Sequence, residues 1–196
     1  MVSPITIGNN VYTGNGNDNV HISQAPGLLG ALGLYQVNIN GNVQYMTKSQ
    51  LEATDFHLGG GNDTLIVDQN VKADIHADGG AGNDVMIGGA GNDVFTGGSG
   101  NDFIDGRGGN DYADGGAGND VVLGGAGNDF VRGGSGNDWV DGGAGNDIAL
   151  GDRGNDVVLG GPGNDIVAGG PGNDIVAGGP GFDWVSGGPG FDLRFP

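Results

Sequence analysis

The 196-residue chain has no cysteine, a single glutamate, two tryptophans and only six basic residues. Without cysteine there is neither a disulfide framework nor a thiolate metal site, so any staple in the fold comes from elsewhere. Six Lys and Arg against 24 Asp and Glu give a formal net charge of −18, which argues against a nucleic-acid partner. Long apolar runs are also missing: the longest, Ala25 to Leu34, is internal and too short to span a bilayer. The opening MVSPITIGNN lacks a basic segment followed by an apolar one and does not read as a cleaved secretory signal.

Glycine is what the chain has in excess, 48 residues or about one in four, against about 7% in average usage. Glycine is costly inside helices, and no Gly-X-Y period accompanies it, so long helices and collagen are both excluded and turn-rich β structure is left. Every acid except Glu52 is Asp, the short carboxylate suited to turns and to hard-cation ligation.

A nine-residue unit repeats without a gap from Gly79 to Phe195, 13 copies in 117 residues, as in GGAGNDVVL at Gly115 to Leu123 and GGPGNDIVA at Gly160 to Ala168. Position six is Asp and position four Gly in all 13 copies; position five is Asn in 11, the exceptions being Phe182 and Phe191. Gly at positions one, two and four permits positive φ, so the first six residues are expected to form a tight turn with inward-pointing carbonyls. Positions seven to nine are expected to form a short strand. Position eight is apolar in 12 copies, from Met86 to Val185, and fails only at Arg194, as the buried middle of a three-residue strand requires. Two units then make one coil, and coils 18 residues apart stack at about 4.8 Å into two parallel sheets around a thin core, a rod about 31 Å tall.

This unit resembles the nonapeptide repeat of the repeats-in-toxin (RTX) family, the haemolysin-type calcium-binding repeats, over about 60% of the chain. The resemblance implies an all-β fold, a right-handed parallel β-roll (β-solenoid), with Ca2+ bound at its turns. Stacking places the position-six carboxylates in two columns: Asp84, Asp102, Asp120, Asp138, Asp156, Asp174 and Asp192 in one, and Asp93, Asp111, Asp129, Asp147, Asp165 and Asp183 in the other. Neighbours roughly 5 Å apart repel by about 0.8 kcal/mol in water, and the pairs together by about 9 kcal/mol, comparable with the stability of a domain. Without cations the rod is not expected to close. An ion between stacked turns meets carboxylates and backbone carbonyls, an all-oxygen shell of flexible geometry that suits calcium better than magnesium. By the resemblance, each ion lies between equivalent turns, held by these aspartates and by carbonyls of residues one to four. Among these are the position-four glycines Gly82, Gly91, Gly100, Gly109, Gly118, Gly127, Gly136, Gly145, Gly154, Gly163 and Gly172. Up to about 11 Ca2+ ions fit in this way.

Two copies depart at position two, where Arg107 and Asp152 replace Gly, each at a cost of about 1 kcal/mol if that position needs positive φ. Asp152 is a candidate extra ligand; Arg107 is expected to weaken or partly neutralise its site, with tolerated drift the preferred reading for both. Residues 1–78 are read as an amino-terminal β-helical lead-in that caps the first coil. It holds degenerate repeats at Thr13 to His21 and Leu58 to Ile66, outlying ligands Asp18 and Asp63, a hairpin at Asn40-Gly41 and a short helix at Ser49 to Ala53. Residues 79–195 are the roll. Within 182–196, Phe182, Trp184, Phe191, Leu193 and Phe195 are expected to close the last coil as an aromatic cap.

No enzyme is expected. His21, His57 and His76 match no zinc or nucleophile motif and read as strand-surface residues; no HExxH occurs, and Ser99 and Ser135 sit in GGSGND turns rather than a GxSxG elbow. Asp105 and Asp141 share a face about 10 Å apart, with Asp114 on the opposite one, but nothing shapes a cleft around them. The expected function is calcium binding that drives folding of a secreted, extracellular bacterial protein, with the type I secretion route implied by the resemblance. An extracellular adhesive or carbohydrate-binding module is the alternative, with Trp139, Tyr112 and Phe130 as contacts to a surface glycan or protein partner.

Overall fold

An inward apolar residue flanked by two outward ones, renewed every nine residues, sends successive strands alternately into two sheets. The computed structural model describes residues 5–7 and 10–195; Pro196 of the expected cap, and residues 1–4, 8 and 9 of the stretch read for a leader, lie outside the described residues. The chain is a parallel β-solenoid of about eight coils. One sheet has 10 strands, from Ile5–Ile7 and Asn10–Tyr12 through Asp55–His57, His76–Ala81 and Val94–Ser99 to Trp184–Ser186. The other has 11, from the hairpin Leu34–Ile39 and Asn42–Thr47 through Asn19–Gln24, Thr64–Val67 and Val85–Ile87 to Leu193–Phe195. In the repeats the register is 18 residues: Val94 lies beside Tyr112 and Tyr112 beside Phe130, while Phe103 lies beside Val121 and Val121 beside Trp139.

Position eight forms the core. Met86, Phe95, Ile104, Ala113, Val122, Val131, Val140, Ala149, Val158, Val167 and Val176 are completely buried, continuous with Phe56, Leu58, Leu65 and Ile75 of the preceding coils.

The strands differ from the expected three residues. Between Val94 and Arg153 each has six, running on through positions one to three, so that Gly98 pairs with Gly116 and Ser99 with Ala117. From Val157 onward they shorten to three. The reason is at position three: Pro162, Pro171, Pro180 and Pro189 stand there in the last four copies, and proline has no N–H to continue the ladder.

In the lead-in the same two sheets continue with longer coils. Asp55 lies beside His76 and Thr64 beside Val85, 21 residues apart, whereas Asn10 lies beside Asp55 and Asn19 beside Thr64, 45 apart. The extra length of that coil holds a helix at Gly27–Ala31, the hairpin, and a helix at Lys48–Glu52. The hairpin turns at Asn40 and Gly41 with φ of 52° and 87°, the left-handed pair that a two-residue turn requires. Thr47 and Gln50 close a capping box at the start of the second helix, and Leu51 anchors it in the core. The helix at Gly27–Ala31 gave no sequence signal: one turn preceded by Pro26 is too short to show a period.

The aromatic residues at the carboxy-terminal end do not cap it. Phe182 and Phe191 are 91% exposed, Trp184 62%, Leu193 60% and Phe195 52%. They occupy positions five, seven and nine, all of which point outward. Of strand positions seven to nine only eight points inward, and there the last coil carries the exposed Arg194.

Candidate metal centre

The turn begins where the strand's hydrogen-bonding pattern runs out, and position six takes over. The backbone N–H of each aspartate donates to Oδ1 of the aspartate one coil onward. In the first column Asp84, Asp102, Asp120, Asp138 and Asp156 donate at 2.8–2.9 Å and Asp174 donates to Asp192 at 3.2 Å. In the second, Asp93 through Asp165 donate onward to Asp111 through Asp183 at 2.7–2.9 Å. The first column extends into the lead-in, because Asp18 N–H donates to Asp63 and Asp63 N–H to Asp84, at 2.7 and 2.8 Å. The second begins at Asp93, whose Oδ1 accepts from Ile75 N–H.

A second ladder, which the sequence reading missed, runs outside the first in the opposite direction. The N–H of Asn101 donates to Asn83 Oδ1 and that of Asn119 to Asn101 Oδ1, both at 2.7 Å, and the pattern repeats in both columns. Phe182 and Phe191 still donate to Asn164 and Asn173 but offer no oxygen onward, so both asparagine ladders stop there. The signal was present as Asn at position five in 11 copies; read as a turn preference alone, it hid a stacking role.

The other carboxylate oxygen is left over. Oδ2 of Asp84, Asp102, Asp111, Asp120, Asp129, Asp138, Asp147, Asp156, Asp165 and Asp174 is buried without a hydrogen-bond partner, as is Oδ2 of Asp18 and of Asp63. A buried polar atom without a partner is expensive, and an ionised one more so. Burial accordingly pushes Asp93, Asp129 and Asp138 up to about 7, and Asp63, Asp102, Asp111 and Asp156 up to about 6. It also raises Asp84, Asp120, Asp147, Asp165 and Asp174. The neighbouring charges contribute less than the loss of hydration, which corrects the expectation that repulsion along the columns dominates.

Position one is glycine for space, not for positive φ, another departure from the expectation. A methyl group on Gly115 would lie 2.7 Å from Asp120 Oδ2 and 2.7 Å from the Gly133 carbonyl oxygen. The orphaned carboxylate oxygen and the position-one carbonyl of the next coil thus flank one small space. Gly136 at position four needs positive φ as well as room: its φ is 138°, and a Cβ there would fall on the Gly118 carbonyl oxygen. The position-four carbonyls of Gly82, Gly100 and Gly118 therefore abut the position-four α-carbon of the following coil rather than open space.

Among the described residues no three His, Asp or Glu side chains form a metal cage. A cation here depends on one carboxylate oxygen per turn plus main-chain carbonyls. That is an oxygen-only donor set without nitrogen or sulfur, and it fits a hard cation of flexible geometry.

Both position-two departures sit at positive φ, Arg107 at 66° and Asp152 at 69°. The Asp152 carboxylate is no turn ligand; it pairs on the outer face with Arg132 Nε, while Arg132 Nη1 lies 3.2 Å from Asp114 Oδ2. Arg107 Nη1 donates to the carbonyls of Val67 and Gly88 at 3.0 and 3.3 Å. Those are position-one carbonyls at the head of the second column, where Ile75 stands in place of an aspartate. A guanidinium thus supplies positive charge beside a turn whose position-six place holds no carboxylate. Arg107→Gly is expected to raise the calcium midpoint for folding although it relieves the backbone; a lowered midpoint would mean that the strain outweighs the contacts.

Elsewhere, Asp105 and Asp141 lie in one sheet with Leu123 between them, and each accepts from the N–H two residues on, Arg107 and Gly143. Tyr112 and Phe130 stack on each other with centroids 5.1 Å apart, so each has one face closed; Trp139 is 45% exposed on the other sheet.

A family model of the RTX calcium-binding nonapeptide repeat, four copies long, matches residues 78–113, 114–149, 141–176, 150–185 and 178–193, more than half of the chain. No curated protein matches it.

Proposed function

Because the chain belongs to the RTX calcium-binding nonapeptide-repeat family, we propose that its function is calcium-coupled folding of a secreted, extracellular bacterial protein. In this reading the chain is open where calcium is scarce and a rigid solenoid where calcium is abundant. The observation that carries the reading is the set of buried, partnerless Oδ2 atoms in ten of the thirteen repeat turns and in Asp18 and Asp63. Each is a cost in the metal-free fold and a ligand in the calcium-bound one. Binding free energy is then folding free energy, as for other small metal-dependent domains. Extracellular modules with sites in the ~0.1–1 mM range suit such a switch.

The ligands are the position-six aspartates with turn carbonyls, and the repeats offer eleven gaps between stacked carboxylates, six in one column and five in the other. Asp18 and Asp63 extend the first column by two more. In this reading the role is structural; Asp105 and Asp141 accept from their own turns, and Asp114 Oδ2 faces Arg132. RTX repeats typically occur in secreted proteins, which supports the extracellular assignment. Calorimetric titration of chelator-stripped protein tests the reading: many ions per chain, approaching the number of gaps, are expected. One or two would contradict it.

A further inference from the structure

Two tripeptides of opposite order, Asp55-Phe56-His57 and His76-Ala77-Asp78, lie side by side on adjacent parallel strands. Their register sets Asp55 beside His76 and His57 beside Asp78. Alternation then places all four polar side chains on the outer face, around a cavity of about 210 Å³ lined also by Phe56, Ala77 and Val94. No motif announces this pairing, because a 21-residue offset between a strand of the lead-in and the first strand of the roll follows none.

Each imidazole faces the carboxylate of the opposite strand through Nδ1: His76 Nδ1 is 3.4 Å from Asp55 Oδ1 and His57 Nδ1 is 3.8 Å from Asp78 Oδ2. Tyr12 stacks on His57 with centroids 4.8 Å apart and an interplanar angle of 13°, which fixes that ring. Among the described residues no side chain or carbonyl takes Nε2 of either ring. A carboxylate on the Nδ1 side orients a histidine, the arrangement commonly found behind metal-bound imidazoles. The two histidines sit at opposite corners of a rectangle about 4.8 by 6.6 Å, a separation two imidazoles can bridge over one ion with bonds of about 2.0–2.1 Å.

We propose that His57 and His76 form a two-nitrogen site for a transition metal of the zinc class, with Asp55 and Asp78 as orienting carboxylates. Water completes the shell, consistent with the absence of any three-side-chain cage among the described residues. Imidazole donors favour zinc, copper and nickel over calcium, so this site and the all-oxygen turns differ in chemistry as well as in place. It lies at the junction of the lead-in with the roll, where an ion would tie Asp55–His57 to His76–Ala81.

Zinc titration of the calcium-saturated protein at pH 7.5, followed by calorimetry and by the visible absorption of a cobalt substitute, tests the assignment. One equivalent is expected. His57→Ala and His76→Ala should each weaken it at least tenfold, and Asp55→Asn or Asp78→Asn by about tenfold. His21→Ala, in the other sheet, should leave it unchanged. These are surface side chains, and an unaltered circular dichroism spectrum in calcium establishes that each variant is folded. No zinc binding, binding that both histidine variants retain, or binding displaced by further calcium would overturn the proposal.

Discussion

Asp138→Ala is expected to raise the calcium concentration at the folding midpoint several-fold, and Asp192→Ala much less. Asp138 is 3% exposed and lies within its column: Oδ1 accepts from Asp120 N–H, its own N–H donates to Asp156, both at 2.9 Å, and Oδ2 is partnerless. Alanine leaves the buried Asp120 N–H without an acceptor, at a cost of about 1–3 kcal/mol, and removes a carboxylate from the gaps on both sides. Asp192 is half-buried at the end of the column and accepts a single longer bond, 3.2 Å from Asp174. In a stacked repeat each coil is supported only by its neighbours, so a central lesion interrupts two interfaces and a terminal one trims the end. Calcium titrations of the two variants followed by circular dichroism check this, and equal midpoints would contradict it.

Metal-free protein is expected to gain β structure as the pH falls from 8 to 5. The turn aspartates have folded values raised from 3.8 to about 6 or 7 by burial. The folded state therefore holds protons that the unfolded chain has released. The stability these groups contribute is fully present below about pH 4 and is lost as the pH rises through 6 to 7. Calcium reverses the sign: it needs deprotonated carboxylates, so its midpoint should rise as the pH falls below 7. Circular dichroism in chelator at pH 8, 6.5 and 5 reads the first effect. A metal-free spectrum that stays disordered or loses structure on acidification would mean that the orphaned oxygens are not what opposes folding.

The solenoid was legible because its determinants are local and repeated. Gly at position four and Asp at position six state the turn, and the apolar position eight, the middle of each short strand, states the core. Asp18 and Asp63 were legible for the same reason, since each is the sixth residue of a degenerate copy of the unit. What was hidden depends on residues that stacking brings together across coils. The six-residue strands arise because glycine lets the ladder run through the turn until Pro162 stops it. Arg107 reads as drift until its guanidinium is placed on the Val67 and Gly88 carbonyls. The expected aromatic cap failed on geometry: bulk near the end of a chain covers a core only if it points inward, and positions five, seven and nine do not.

Far-UV circular dichroism during calcium titration of chelator-stripped protein, with magnesium as the control, tests calcium-coupled folding most directly. A cooperative transition from coil to β at sub-millimolar to millimolar calcium, absent with magnesium, is the predicted result. A spectrum already rich in β structure in chelator at pH 7.5, and unmoved by calcium, would contradict it.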